Sequence, residues 1–224
     1  DTLIKLVQHT PTIEFGAMVI PERNDTILIW LGDNKARMDA VNGVSTLYDA
    51  ETDSTVVVYH KFEIYTHGLQ SPFGGGEPAG GVDLTAGLAA LNPTFITHVE
   101  KTSESQLING WNCVRWVQCD SMPMMGAVLL TDTWTTEDTK VDFAVYSKLL
   151  AAGANRPAMK AGSEEQPKIT GLPILTVVEI RADSTAALPT GLGSRDEIVL
   201  IQEVQTPPGH YDIPAGYELF SSNR

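Results

Sequence analysis

The sequence predicts an α+β fold: a strongly curved antiparallel sheet, or half-barrel, with one or two helices packed on its concave face. Short apolar runs alternate with tight turns over residues 13–65. Two apolar strands then follow each other at Gly110–Cys119 and Ala127–Trp134, and an amphipathic segment comes directly after them. The 224 residues are enough to bury a sizeable core.

The N-terminal part is predicted to be a meander of short strands. Its candidate strands are Ile13–Ile20, Thr26–Leu31, Lys35–Asp39, Val44–Tyr48 and Thr55–Tyr65, the last being one or two strands. Gly32–Asn34 and Asn42-Gly43 are typical of hairpin turns. Charged residues alternate with Ala36 and Met38 in one strand, so we expect one solvent-exposed face and one face packed in the core.

A segment rich in glycine and proline, His67–Gly81, interrupts this pattern. Such composition is typical of a loop, and we expect an insertion within a single domain that spans residues 1–224. Further elements are predicted after it: a short helix at Asp83–Ala90 and strands at Phe95–Thr102, Leu172–Ala182 and Ile198–Gln205.

The main helix is predicted over Asp138–Ala152. Thr135 with Asp138 three residues later matches a capping box, and Gly153 is a stop signal. Apolar residues recur at helical spacing between them: Val141, Ala144, Val145, Leu149 and Ala152. We therefore expect this helix to pack against the concave side of the sheet.

Charge and hydropathy narrow the classes of partner. The chain has 28 acidic and 15 basic residues, a formal net charge of −13, which repels phosphate backbones and anionic lipid surfaces. Nucleic acid is therefore not an expected partner. No apolar run approaches the roughly 20 residues that a transmembrane helix needs, so no transmembrane segment is expected.

No motif predicts an enzyme, and no cofactor or metal is expected. A Gly-x-Ser-x-Gly elbow, a phosphate loop and a dinucleotide fingerprint are all missing from the sequence. The histidines are scattered singly at positions 9, 60, 67, 98 and 210. His60, near Tyr59 and Glu63, is a possible member of an acid–base or metal cluster, but its spacing does not select it.

Two further patterns have structural interpretations. Asp49, Glu51 and Asp53 alternate like calcium ligands, but Ser54 stands where an EF-hand needs glycine, which favours a solvated turn. Cys113 and Cys119 would lie about 20 Å apart on a straight strand, whereas a disulfide needs Cα atoms within about 7 Å. We favour two half-buried thiols, and a bridge would require the strand to turn between them.

Five segments occur in an order that carries a family resemblance: Gly32–Asp39, Ile108–Cys113, Asp132–Asp138, Gly171–Pro173 and Tyr211–Tyr217. Together they resemble the periplasmic lipoprotein-carrier superfamily, and more narrowly an uncharacterised bacterial branch of outer-membrane lipoprotein-sorting-like domains. The resemblance implies an exported, periplasmic or outer-membrane-associated protein whose targeting signal lies outside this sequence. It also implies a concave apolar face suited to an acyl chain or another hydrophobic ligand, and it does not imply an enzyme. The Gly-rich segment is not part of the family pattern, and its N-terminal helix is at best vestigial in Asp1–His9.

Tryptophan and methionine supply the candidate ligand-lining residues, because both offer large or adaptable apolar contact area. The candidates are Trp30, Met38, Trp116, Met122, Met124, Met125 and Trp134. The competing interpretation is that each simply fills the core, as most such residues on strands do.

Three functions are compatible with these patterns. The first is a non-enzymatic envelope protein that binds a lipid, an acyl chain or another hydrophobic small molecule, which predicts a deep apolar groove. The second is an interaction module for another envelope protein, which predicts a self-filled core and an exposed apolar patch. The third is a hydrolase with an unrecognised site, which needs clustered polar residues of perturbed pKa in a cleft.

Overall fold

The computed structural model describes residues 1–15, 17–68, 96–123, 126–153, 169–182 and 193–220. The strands are β1 (Thr2–Thr10), β2 (Ile13–Phe15), β3 (Met18–Ile20), β4 (Arg23–Leu31), β5 (Lys35–Asp39), β6 (Val44–Asp49), β7 (Ser54–Tyr59), β8 (Ile64–His67), β9 (Ile96–Ile108), β10 (Trp111–Met122), β11 (Ala127–Thr136), β12 (Leu172–Ala182), β13 (Gly193–Glu203) and β14 (Glu218–Leu219). One helix, α1 (Phe143–Gly153), lies in the described part of the chain.

Twelve strands form one sheet in the order β14-β8-β7-β6-β5-β4-β1-β13-β12-β11-β10-β9. Two antiparallel meanders, β4–β8 and β9–β13, meet at β1, which pairs antiparallel with β4 on one side and β13 on the other. The short strand β14 adds to β8 in parallel. Strands β2 and β3 form a separate hairpin between β1 and β4.

The predicted fold class is wrong. Strands account for 63% of the described residues and helix for 6%, and the sheet is open and mixed rather than a half-barrel lined by one or two helices. A single helix of 11 residues is about 16 Å long at 1.5 Å per residue, whereas twelve strands spaced about 4.8 Å apart form a far wider sheet. Helix packing is therefore a local feature of a β protein.

Several strand predictions are confirmed. Lys35–Asp39 and Leu172–Ala182 have the predicted limits, and the long candidate at Thr55–Tyr65 is two strands. The candidate at Ile13–Ile20 is a hairpin rather than one strand, because Ile13 pairs with Ile20. The central strand β1 was not predicted as a strand; the residues considered for a vestigial helix, Asp1–His9, lie largely within it. The helix at 83–90 and most of the 67–81 insertion lie outside the described residues.

Helix α1 begins later than predicted. Thr135, the proposed cap, lies in β11, and the Thr136 hydroxyl instead accepts a hydrogen bond from the Asp138 N–H at 3.1 Å. The cap is Asp142, whose carboxylate accepts the N–H groups of Ala144 (2.9 Å) and Val145 (3.2 Å).

The apolar core lies between α1 and the sheet. Helix residues Tyr146 and Leu149 are almost completely buried there, and α1 contacts β5 and β6. The same cluster extends across the sheet through Ile4, Leu6, Ile29, Leu31, Ala36, Met38, Tyr48, Ile108, Cys113, Leu172, Ile174 and Ile198. We call the side of β4–β6 that meets this core the helix face.

The opposite side of β4–β8 is crossed by residues 204–220, which we call the C-terminal strap. Strand alternation separates the two sides of β5: Ala36 joins the core, whereas Arg37 donates a hydrogen bond to the His210 carbonyl at 2.8 Å. The strap includes β14. There the Glu218 N–H donates to the Glu63 carbonyl at 3.0 Å, and the Phe220 N–H donates to the Tyr65 carbonyl at 2.8 Å. We call this side of the sheet the strap face.

Candidate functional site

Three of the predicted ligand-lining residues lie in or against the core of the described structure. Met38 is 8% exposed and belongs to the core beneath α1, and Trp134 packs against that core. Trp116 is 5% exposed, its indole N–H donates to the Thr135 hydroxyl at 3.1 Å, and the Lys101 ammonium lies 5.3 Å from its ring centre. Core filling therefore accounts for these three side chains.

Trp30 lies on the other side of the sheet. Its ring meets the His210 imidazole edge-on, with ring centres 4.7 Å apart. Strand β10 includes Met122, but Met124 and Met125 lie outside the described residues. Whether any of the seven contacts a ligand stays a prediction.

The strap face carries a network of polar side chains that the sequence did not reveal. The Arg37 guanidinium donates to Asp39 at 2.7 Å and to the Ser45 hydroxyl at 3.3 Å. Ser45 in turn lies 2.5 Å from Asp39 and 2.7 Å from His60 Nε2. His60 Nδ1 lies 3.1 Å from the Tyr217 hydroxyl of the strap. The network therefore ties β5, β6 and the β7–β8 turn to the strap.

The direction of each hydrogen bond follows from the chemistry of the groups. An ionised Asp39 can only accept, so the Ser45 hydroxyl donates to it and accepts from His60 Nε2–H. In this tautomer of a neutral His60 ring, the Tyr217 hydroxyl donates to Nδ1. In a catalytic triad the carboxylate contacts the histidine, not the serine, and the nucleophile is accessible. Here Asp39 bonds to Ser45 itself, and Ser45 is 2% exposed, so the arrangement is suited to holding the strap.

A polar pocket of about 300 Å³ opens beside the strap. It is lined by Asp1, Gly32, Asp33, Asn34, Lys35, Asp49, Glu51 and Tyr211. Asp49 accepts the N–H groups of Thr52 and Glu51, and the Thr52 bond in particular holds its pKa below the usual value. Its carboxylate thus already closes a local turn.

The three alternating acidic residues have different partners, and residues 50–53 form the predicted turn. Glu51 accepts from the Asn34 amide at 2.8 Å. Asp53 accepts from the Lys148 ammonium and from the Tyr48 hydroxyl, each at 2.8 Å. The Lys148 bond lowers the pKa of Asp53 and raises that of Lys148. Among the residues that the structure describes, no three acidic, His or Cys side chains form a metal-binding group.

The two cysteines are free thiols on β10. Cys113 is buried, its thiol lies 3.5 Å from the Trp111 carbonyl, and burial raises its pKa. Cys119 is half-buried. A buried thiol with a raised pKa is a poor nucleophile, so Cys113 acts as a core residue.

Exposed apolar side chains gather at one end of β5–β8, and we call them the hairpin-end patch: Val41, Phe62, Leu219 and Phe220. Val41 lies in the β5–β6 turn, and the bond from His60 N–H to the Gly43 carbonyl (3.0 Å) joins that turn to the β7–β8 turn. The bond from Glu218 N–H to the Glu63 carbonyl brings β14 to the same end. The patch thus combines two turns and the last strand.

The sequence matches no family model and no curated protein. Within the described ranges, none of the helical structure is long and apolar enough for a bilayer crossing.

Sequence reasoning missed the strap-face network because its members are far apart in the chain: His60 and Tyr217 are separated by 157 residues. A signal was present at Lys35–Asp39, where Arg37 and Asp39 alternate with apolar residues and therefore share one face.

Proposed function

We propose that this protein is a non-enzymatic interaction module that docks an extended segment of a partner protein at the hairpin-end patch. This proposal is based on one observation. Four exposed apolar side chains lie together at one end of strands β5–β8, beside the edge strand β14. Exposed apolar patches on soluble domains are commonly interaction sites.

The filled core supports this choice over a permanent internal ligand site. Val145, Tyr146 and Leu149 of α1 are buried against the sheet, at the place where the sequence predicted a ligand. Burying each such side chain contributes roughly 1.5–3 kcal/mol, so unseating the helix costs on the order of 5–9 kcal/mol. That cost is comparable to the whole stability of many domains. An external patch carries no such cost.

The chemistry of the partner segment follows from charge and from strand geometry. The chain has a formal net charge of −13, which favours a basic partner. Strand β14 is the last strand of the described sheet on this side, so an added strand can pair with it and lay its side chains beside Leu219. We therefore expect an extended segment in which apolar and basic residues alternate. The family resemblance suggests a partner in the bacterial envelope.

The test uses a fluorescein-labelled peptide of alternating valine and lysine, with fluorescence anisotropy as the measurement. Leu219→Ser is expected to weaken binding about tenfold, the equivalent of about 1.4 kcal/mol. Leu107→Ser is the matched control, because Leu107 is also exposed (66%, against 51% for Leu219) but lies on β9 at the opposite edge. A peptide of the same composition with a central proline should not bind. Equal weakening by both substitutions, or no binding by the unmodified protein, would overturn the proposal.

Binding of a hydrophobic ligand is the second candidate, favoured by the continuity of the core. Met38 and Trp134 lie in one apolar cluster that extends from β6 to β10, so lifting α1 would expose a continuous apolar surface. An acyl chain of about twelve methylenes contributes roughly 10 kcal/mol at about 0.8 kcal/mol each, enough to offset the loss of helix contacts.

Native mass spectrometry with a fatty acid tests this second candidate. Uptake should coincide with faster hydrogen exchange in residues 143–153, because the ligand must displace α1. A mass that stays that of the free protein, with unchanged exchange in the helix, would exclude it and leave the docking proposal untouched.

A further inference from the structure

We propose that the C-terminal strap is an acid-sensitive latch, closed while the His210 ring is neutral and released when that ring takes up a proton. The proposal concerns how the strap is held to the sheet. It stands independently of what the hairpin-end patch binds.

The position of the His210 ring is the geometric basis of the latch. The ring packs edge-on against Trp30 of β4, with ring centres 4.7 Å apart, and against Tyr211 at 5.2 Å. Its Nε2 atom is buried and forms no hydrogen bond with any described residue. A neutral ring tolerates an unpaired acceptor at modest cost, whereas a proton at this nitrogen would be a buried donor and a charge with no partner.

The charges around His210 oppose protonation. The Arg37 guanidinium of β5 donates to the His210 carbonyl at 2.8 Å, so a permanent positive charge lies beside the residue. Burial, followed by this guanidinium, lowers the pKa of His210, and Asp39 acts in the opposite direction. Asp39 is already engaged by Arg37 and Ser45 and is a weak counter-ion for a second cation. In the strap, the neighbouring Asp212 faces Lys35 at 3.4 Å.

The sign of the pH effect follows from proton linkage. Because the pKa of His210 is lower in the closed strap than in the released strap, the released strap binds more protons in mildly acidic solution. The latch is therefore fully stable above the ordinary histidine pKa of about 6.5 and weakens as the pH falls below it. The strap carries most of its remaining contacts through hydrogen bonds, so it opens as a unit while the core beneath α1 stays folded.

Hydrogen exchange of the full chain, corrected for the intrinsic pH dependence of exchange, is the direct test. We expect the protection of residues 207–220 to fall severalfold between about pH 7 and about pH 5, with protection in β1, β4 and β12 unchanged. In parallel, an NMR titration should give His210 a pKa below that of an unstructured histidine.

Two variants separate the latch from general acid sensitivity. His210→Phe keeps a ring against Trp30 but cannot titrate, so its strap should stay protected at both pH values. His60→Gln removes the histidine of the sheet that contacts the strap at Tyr217, and it should retain the pH response. The latch is overturned if the strap of the unmodified protein shows no pH response, or if His210→Phe responds like the unmodified protein. Circular dichroism verifies that both variants fold.

Discussion

The two faces of the β4–β8 meander are covered in different ways. On the helix face, α1 buries Tyr146 and Leu149 in the hydrophobic core cluster. On the strap face, residues 204–220 are held by Arg37, by the Ser45–His60 pair, by backbone bonds from β14 to the β8 side, and by aromatic contacts at Trp30 and His60. Apolar burial does not depend on protonation, whereas hydrogen bonds between charged groups depend on protonation and geometry. One cover is thus permanent and the other is conditional.

Removal of apolar volume beneath the helix should give the largest effect. Leu149→Ala leaves a cavity at a fully buried position and is expected to lower the free energy of unfolding by about 3 kcal/mol. Urea unfolding measures this loss, with Ser147→Ala as the control, because Ser147 is only half-buried on the same helix and the substitution removes a single hydroxyl. If Leu149→Ala and Ser147→Ala lowered the free energy of unfolding equally, apolar burial would not be what holds α1 on the helix face.

Loss of the guanidinium at the centre of the strap face should have an intermediate effect. Arg37→Ala removes donors to Asp39, Ser45 and the His210 carbonyl, and leaves a partly buried carboxylate without its cation. We expect a loss of about 2 kcal/mol, accompanied by rapid exchange of the strap amides while those of α1 stay protected. Lys35→Ala is the control, since its pair with Asp212 is long and exposed. Uniformly faster exchange across the sheet would mean that the two covers are not separable.

The smallest effect is expected at the surface ion pair of the helix face. Lys148→Ala breaks the contact between Lys148 and Asp53, but both side chains are more than half exposed. Solvent screening makes such pairs nearly neutral for stability, so the urea midpoint should not move measurably. A large shift would show that α1 is held by charge as well as by burial.

The sequence predicted local strands better than it predicted their assembly. Lys35–Asp39 was recognisable because its side-chain alternation is a local property. Strand β1 was missed because Lys5, Gln8 and His9 interrupt its apolar pattern. Its pairing with β4 and β13 becomes apparent only in the folded sheet.

The cap of α1 was misplaced for a related reason. Thr135 and Asp138 satisfy the capping pattern, but pairing with β10 and β12 keeps Thr135 in a strand. The candidate site was the least predictable part of the structure, because the contacts between the strap and β4–β8 join residues that only the folded sheet brings together.

The central position of β1 also has a consequence for how the chain folds. Residues 2–9 must pair with 195–203 before the two meanders become one sheet, so the sheet is completed only when nearly all of this sequence is present. Such non-local pairing is slow because loop-closure entropy is lost before the contacts form. Until β1 is in place, β4 and β13 are open edges, and open edges favour aggregation. During synthesis, β1 can pair with β4 as soon as both are made, but its other edge stays unpaired until β13 follows from the C-terminal half of the sequence.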